Sequence, residues 1–291
     1  MTDTLTERQP TSLTLPHVSV IQPGVIFRRA LIDNLAGIVA WGVGYSALIV
    51  SVVVLYPILE ENNTLFSVLS GLGLLDIFTA NYPIDPSALT TFAGYLAFEA
   101  LGWGPVIFSA YLIPQTVGAV LGEEQRGTLD LLLSTPITRW QLITEKTLAI
   151  VASLVLILSI MLVTLLVSTR LSNQVDLETW QALAGVWHIL PISLVVIAVT
   201  LLLSVMFYNP RMVGGLAALF IIISYFVRSL SDMAQLPLLD ILRRFSVFHY
   251  FSSISAMIDG VNWRADIGLM LLALVIFGLA LLRFQRRDLG L

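Results

Sequence analysis

Long apolar runs without a charged residue alternate with short polar segments along most of this 291-residue chain. A helix that crosses the hydrocarbon core of a bilayer needs about 20 predominantly apolar residues. Four runs reach that length, and two further runs hold 16 residues each beside arginines, whose long stems can reach the membrane surface. The pattern predicts an all-α polytopic membrane protein with six transmembrane helices. These spans are expected at about residues 35–58, 100–121, 147–169, 182–207, 212–227 and 267–282.

Composition supports the membrane class. The chain is 57% hydrophobic and 12% charged, whereas ordinary globular domains are roughly 45–50% apolar and 25% charged. It contains no cysteine, which excludes disulfides, thiolate metal sites and a cysteine nucleophile. The net charge of −4 gives no indication of nucleic-acid binding.

Lysine and arginine are unevenly shared between the loops. With the N-terminus in the cytoplasm, the inside segments hold ten of the fifteen basic residues, and the first outer loop, residues 59–99, holds none. Because cytoplasmic loops carry an excess of Lys and Arg, both termini are predicted to be cytoplasmic in a multi-pass protein of the plasma membrane. Residues 1–21 lack the pattern of a secretory signal and are expected to form a flexible cytoplasmic tail, followed by a single transmembrane domain over residues 22–291.

The segment between the second and third spans, Gly122–Lys146, concentrates charge between two apolar runs. Leu129, Leu132 and Leu133 follow the i, i+3, i+4 spacing of one helical face, which predicts a short amphipathic helix. Pro136 would end that helix, because its ring cannot continue the hydrogen-bond ladder. The segment is therefore predicted to present an apolar helix face to a soluble partner.

The next helix is predicted to begin directly after this loop. Thr138 is followed three residues later by Gln141, which is a capping-box pattern. The third span would then start with an N-terminal turn that projects from the membrane on the cytoplasmic side.

The run from Glu123 to Lys146 resembles the segment between the second and third spans of ABC-2 type transporter permeases. The positions that match in order are Gly127, Thr128, Leu129, Asp130, Leu131, Leu132, Ser134, Pro136, Ile137, Thr138, Arg139 and Lys146. In that family the short helix is the coupling helix, which docks into a groove on a separate ATP-hydrolysing subunit. The match covers about two dozen residues and carries no information on the substrate.

The resemblance implies a coupling site in this loop. The residues expected to contact or position the ATPase are Gly127, Thr128, Leu129, Asp130, Leu132, Leu133, Ser134, Pro136 and Arg139. A polar network of Glu123, Glu124 and Arg126 would hold the loop in shape. Burial of the leucines at the membrane surface, and a solvated helix end for the two glutamates, remain open as alternatives.

Before the first span, residues 22–33 combine apolar Val25, Ile26 and Leu31 with Arg28 and Arg29. This pattern is typical of an interfacial helix along the inner leaflet. The resemblance implies the elbow helix of ABC-2 permeases, which helps to grip the ATPase. A positively charged anchor without a partner is the alternative.

Two features lie within the spans. Pro105 and Pro114 predict a kink in the second span, for which a packing role is favoured and a gating role is the alternative. His188 is the only histidine or charged residue within the four longest apolar runs. Such groups are functional candidates, but a hydrogen-bonded residue near the outer membrane boundary is the favoured interpretation.

The outer segment between the fifth and sixth spans, Arg228–Asp266, is too apolar for a simple loop. It is predicted to form short re-entrant helices, which ABC-2 permeases commonly carry at this position. Re-entrant backbone must be buried against protein, because lipid offers no hydrogen bonds. Its aromatic residues suit an interfacial belt or, alternatively, an outer gate.

The expected function is that of the permease subunit of an ATP-driven ABC-2 type transporter that exports an amphipathic or hydrophobic compound. The sequence holds no G-x-x-x-x-G-K-[ST] motif, so the chain is expected to be no enzyme and to bind no cofactor, with ATP and Mg²⁺ on the partner. The resemblance implies two ABC ATPase subunits and a second permease copy or paralogue in the bilayer.

A membrane-embedded protease of the CAAX type is the alternative from another class. The chain is similar to that family in Glu123-Glu124 followed by Arg126, and in a Phe-x-x-x-His motif that ends at His249. The pair would activate a water with His249 as partner. The spacing of Arg126 departs from that family, and the expected topology separates Glu124 and His249 by the bilayer.

Overall fold

The computed structural model describes residues 24–61, 67, 71, 91–122, 138–234 and 241–286, and these residues form helices without any strand. The α-helices used below are α1 (Val25–Asp33), α2 (Leu35–Glu61), α3 (Phe92–Glu99), α4 (Gly104–Val117), α5 (Arg139–Ser172), α6 (Thr179–Trp187), α7 (Ile189–Met206), α8 (Pro210–Ala234), α9 (Ser253–Ile258) and α10 (Trp263–Gln285). The all-α fold class is confirmed.

Within the described residues, six helical segments are long and apolar enough to cross a membrane, which confirms the predicted number of spans. They are Leu35–Glu61, Phe92–Gly122, Trp140–Ser172, Thr179–Met206, Pro210–Ser231 and Trp263–Gln285. Each is longer than its apolar run, because the helical backbone continues its hydrogen bonds through polar turns at either end. The fifth and sixth spans accordingly reach 22 and 23 residues.

The helix α7 lies at the centre of the bundle, where it packs against α4, α8 and α10. The fourth span, which contains α7, is 67% buried over its most apolar stretch, whereas the fifth and sixth spans are 22% buried. Leu219 and Leu274 are among the apolar side chains that the fifth and sixth spans leave exposed. An apolar exterior of this kind is what a lipid environment favours.

The first and third spans meet through small and hydroxyl-bearing residues. A Cβ atom at Gly42 of α2 would lie 2.9 Å from the Ile160 Cδ1 atom of α5, so glycine allows this close approach without a shift of the Ile160 side chain. Nearby, the hydroxyl oxygens of Ser46 and Thr164 are 2.9 Å apart and share a hydrogen bond. Close backbone approach and interhelical hydrogen bonds are the usual means by which helices associate in membranes.

The second span is broken rather than kinked at its prolines. The helix α3 ends at Ala100, and a short 3-10 helix over Leu101–Trp103 precedes α4. Pro105 lies in the first turn of α4, since its ring would collide with a carbonyl of a continuous helix. The Tyr45 hydroxyl donates to the Ala100 carbonyl at 2.8 Å and so satisfies the interrupted ladder. Pro114 lies inside α4 without ending it.

In the described part of the segment between the fifth and sixth spans, residues 241–243 are helical, and a 3-10 helix over Val247–Tyr250 and α9 follow. Their position agrees with the predicted short outer helices. The helix α9 packs against α3 and α6. A Cβ atom at Gly185 of α6 would lie 2.6 Å from Leu101 Cδ1 and 2.9 Å from Met257 Sδ, so a larger residue would force these side chains to shift where α6, α9 and the break in the second span meet.

Candidate functional site

The predicted coupling segment falls almost entirely outside the described residues, which end at Gly122 and resume at Thr138. The predictions made there stand as predictions. They concern Glu123, Glu124, Arg126, Gly127, Thr128, Leu129, Asp130, Leu132, Leu133, Ser134 and Pro136. Arg139 begins α5, but its side chain also lies outside the described part. The structure does describe the helices on both sides of this loop.

Glu145 joins the N-terminal helix to the third span. Its Oε1 atom accepts from the backbone N–H of Gly24 at 3.0 Å, and its Oε2 atom accepts from the N–H of Phe27 at 3.1 Å. The first N–H groups of a helix have no partner within that helix, and their positive end of the dipole favours a carboxylate. Gly24, which has a φ of 92°, provides no side-chain cap. Glu145 therefore caps α1 from a distant part of the chain.

Lys146, the next residue, binds the end of the second span. That span finishes in a π-helical turn over Gly118–Gly122, and the Lys146 Nζ atom donates to the Ala119 carbonyl at 3.3 Å. A π turn disturbs the regular hydrogen-bond ladder and is often found at functional sites. We call Gln141, Glu145 and Lys146, with their partners on α1 and Gly118–Gly122, the inner junction.

The predicted capping box at the start of α5 is not formed. Thr138 is the N-cap residue of α5 in extended geometry, as predicted, but its side chain makes no capping hydrogen bond. The Gln141 side chain instead donates from Nε2 to Glu145 Oε1 at 2.9 Å. A carboxylate accepts a stronger hydrogen bond than a neutral group. The amide of Gln141 thus supports the cap of α1 rather than that of its own helix.

The helix α1 packs against α5, and its basic residues face outward. Arg28 and Arg29 are both exposed, and Arg29 Nε lies 3.1 Å from Asp33 Oδ2 in an exposed i, i+4 ion pair. Val25 and Ile32 are exposed as well. The mixture of exposed apolar and basic side chains is that of a helix at a membrane surface. Its contact with an ATPase and its role as a simple anchor both remain predictions.

A second polar cluster ties the outer segment to the spans. His188 lies between α6 and α7, and Asp266 lies in the first turn of α10; their side chains are 3% and 1% exposed. The His188 Nδ1 atom is 2.7 Å from Asp266 Oδ1, and Trp187 Nε1–H donates to Asp266 Oδ2 at 3.0 Å. The backbone N–H of Ser252 donates to His188 Nε2 at 3.0 Å. The favoured interpretation of His188 as a hydrogen-bonded residue agrees with this geometry.

Arg228 of α8 adds further contacts to the same segment. Its Nη1 atom donates to the carbonyls of Phe248 and Phe251, and the Ser246 hydroxyl donates to the Ser224 carbonyl at 2.6 Å. The guanidinium of Arg228 therefore binds backbone carbonyls of this segment, and its expected reach to the membrane surface stays a prediction. We call Trp187, His188, Arg228 and Asp266 the outer clamp, because together they hold residues 246–252.

Sequence reasoning missed the roles of Glu145, Arg228 and Asp266. Each lies within one or two residues of an apolar run, and a charged group at such a position must find a partner or reach water. That rule could have marked the three residues as candidates. Their partners are mostly backbone groups far away in sequence, which no local pattern indicates.

The residues of the protease alternative are not brought together by any described contact. Glu123 and Glu124 lie outside the described residues, and His249 lies on the outer 3-10 helix, with its ring 4.9 Å from that of Tyr250. Among the described residues, no group of three histidine, aspartate or glutamate side chains could hold a metal ion. The described contacts give no specific support to proteolysis.

The six apolar helices define the chain as a multi-pass membrane protein. A family model described as ABC-2 family transporter protein matches residues 104–289. That match spans more than half of the sequence, and the chain belongs to the ABC-2 transporter family. It is therefore a membrane permease of an ABC transporter, and membership implies association with ABC ATPase subunits. Neither a curated protein nor a solved structure matches the chain significantly.

Proposed function

We propose that the chain exports an amphipathic or hydrophobic compound across the plasma membrane, driven by two separate ATPase subunits that bind at the loop between its second and third spans. The observation that carries the proposal is the inner junction. Neighbouring residues of α5, Glu145 and Lys146, bind α1 on one side and the end of the second span on the other. A movement of the loop would therefore reach three helices together.

The mechanism follows from this connection. ATP-driven closure of the ATPases would press on the predicted coupling helix within this segment, residues 128–135, and on α1. The third span begins directly after the segment and continues as one α-helix for 34 residues. Rigid helices transmit displacement to the interfaces that they form. A second copy of the permease, or a paralogue, would complete the pathway, with both termini in the cytoplasm.

The class of cargo is inferred from charge. The four longest apolar runs contain no aspartate, glutamate, lysine or arginine. A pathway for small ions is usually marked by ionisable groups within the spans. The scarcity of such groups favours a drug-like compound, an antibiotic or a lipid over an inorganic ion.

The test is co-purification of the ATPase with variants of the coupling segment. Leu132→Asp places a charge on the predicted apolar face and should abolish co-purification, since burying an unpaired charge in an apolar groove is strongly unfavourable. Leu131→Asp is the matched control, because helical spacing puts Leu131 off the face formed by Leu129, Leu132 and Leu133. Equal ATPase recovery with both variants would contradict the proposed docking face.

The cargo is tested separately with the purified complex in lipid nanodiscs. Amphipathic compounds should stimulate ATP hydrolysis, whereas inorganic ions at matched ionic strength should not. Stimulation by ions alone would overturn the proposed cargo class and leave the docking face untouched.

A further inference from the structure

We propose that His188 and Asp266 form a proton-binding latch that holds residues 246–252 against the fourth and sixth spans and releases them when the pair takes up a proton. The proposal goes beyond the transport function, because it depends on neither the ATPase nor the cargo. It rests on which atoms of the imidazole are donors and which are acceptors.

The hydrogen bond from Ser252 determines the protonation state of the closed latch. A backbone N–H can only donate, and it lies 3.0 Å from His188 Nε2. Nε2 must therefore be the unprotonated acceptor of a neutral imidazole, which places the ring hydrogen on Nδ1. Nδ1 lies 2.7 Å from Asp266 Oδ1, in contact but without the alignment of a full hydrogen bond, and Trp187 donates to the other oxygen. The contact is attractive when the pair carries one hydrogen between its facing atoms.

A second proton is incompatible with this pattern. On His188 Nε2, it would face the N–H of Ser252, so two hydrogens would meet where one hydrogen bond exists. On Asp266 Oδ1, it would face the hydrogen on Nδ1 unless the imidazole moved its own hydrogen to Nε2, with the same result. Either location therefore removes the acceptor of Ser252 or sets two hydrogens against each other.

The burial of His188 prevents water from replacing the lost hydrogen bond. His188 is 2% exposed, and its ring stacks on Phe251 with centroids 5.0 Å apart and an interplanar angle of 9°. Water cannot easily take over a hydrogen bond at such a position, and a buried donor without an acceptor is costly. The segment can relieve the conflict by moving Phe251 and Ser252 away from the imidazole.

Few charged groups surround the imidazole. Among the described residues, Asp266 approaches from α10 and Arg228 from α8, with its guanidinium on the carbonyl of Phe251. Arg264 on the first turn of α10 and Asp259 after α9 are exposed. Arginine stays charged at all physiological pH values. The His188–Asp266 pair is therefore the contact that can take up a proton, while Arg228 stays bound to the carbonyls of Phe248 and Phe251.

Release of Ser252 would act directly on α9. Ser252 is the N-cap residue of α9, and its hydroxyl accepts from the N–H of Ser255. The helix α9 packs against α3 and α6 at the break in the second span. We call α9 and the parts of α3 and α6 against which it packs the outer cap, and the state of the latch therefore affects the packing of this cap.

The experiment uses the absence of native cysteine. A nitroxide spin label at Tyr250→Cys, a position that is 44% exposed in the held segment, reports its motion in the full-length chain in lipid nanodiscs. Spectra are compared at about pH 7.5 and about pH 5, on either side of the ordinary range of histidine. We expect the mobile fraction of the spectrum to rise severalfold at the lower pH.

Two substitutions at His188 separate its two contacts. His188→Gln can present an amide oxygen near the Nε2 position, so it should hold the segment at both pH values. His188→Asn can present a donor near the Nδ1 position without an acceptor for Ser252, so it should be mobile at both. His249→Gln, which lies on the same outer segment, should keep the wild-type response.

Three results would overturn the proposal. One is an unchanged spectrum of the wild type across this pH range, and another is an acid response that persists in His188→Gln. The third is an equal acid response from a label at Leu171→Cys, an exposed position at the far end of α5, which would indicate general loosening. Helical circular dichroism at both pH values verifies that each variant is folded.

Discussion

The inner junction and the outer clamp solve the same problem with different degrees of burial. Both use charged or polar side chains to bind backbone groups of a short segment, Glu145 on α1 and Arg228 and His188 on residues 246–252. The clamp pair is 3% or less exposed and stacks on an aromatic ring. At the junction Glu145 is itself only 9% exposed, but it lies at helix ends where α1 exposes several side chains. A polar contact is stronger and less replaceable where water is excluded, so the two regions should respond unequally to substitution.

The largest effect is expected from Asp266→Ala, because it removes the buried carboxylate that accepts from Trp187 Nε1–H and contacts His188 Nδ1. A hydrogen bond to a charged group contributes about 1.5–3 kcal/mol, and two groups lose this partner, which should appear as a clear fall in the thermal unfolding temperature of the purified protein. Asp259→Ala, an exposed aspartate in the same region, is the control. Similar unfolding temperatures for the two variants would show that the buried carboxylate stabilises the fold no more than the exposed one.

An intermediate effect is expected from Gly185→Ala, which tests the packing of the outer cap rather than its polar contacts. The new methyl group would lie 2.6 Å from Leu101 Cδ1, and overpacking of this kind costs about 1–3 kcal/mol. Gly268→Ala in α10 is the control, since a Cβ atom there has no neighbour within 4 Å. Thermal unfolding of both variants measures the difference, and an unaltered Gly185→Ala protein would show that the cap adjusts freely.

The smallest effect on global stability is expected at the inner junction. Glu145→Ala removes the cap of α1, and loss of an N-cap costs about 0.5–2 kcal/mol. The loss should be local and appear as faster hydrogen exchange in α1, by about 5–30-fold if it reaches 1–2 kcal/mol. Asp33→Ala, which breaks only the exposed pair with Arg29, should leave the exchange rates nearly unchanged. Equal rates in Glu145→Ala and wild type would show that packing alone holds α1.

The sequence was sufficient for the number of spans, because a stretch of about 20 apolar residues is a local property. It was also sufficient for the start of α5 at Arg139, where the extended N-cap and the preceding proline are neighbours in the chain. The matched family supports the class of protein that the loop motif indicates. Each of these correct predictions depends on residues that lie close together in the sequence.

The contacts that organise both sites were not predictable in the same way. Glu145 binds Gly24 from 121 positions away, and Trp187 binds Asp266 from 79 positions away. The capping box failed for a related reason, since Gln141 found a charged acceptor that the local pattern did not include. In the second span the sequence marked both prolines alike, whereas the break lies directly before Pro105, where the hydroxyl of Tyr45 binds the Ala100 carbonyl, and Pro114 stays inside α4.

The contrast between the second and third spans has a mechanical consequence. The helix α5 has 34 residues, and at about 1.5 Å per residue it is about 50 Å long, well beyond the roughly 30 Å of the hydrocarbon core. It acts as a stiff rod, so a tilt applied at Glu145 reaches Ser172 without an intervening joint. The second span has such a joint at Leu101–Trp103. A torque on its inner half therefore ends at Gly104, and the outer cap receives it only through side-chain contacts such as that between Leu101 and α6.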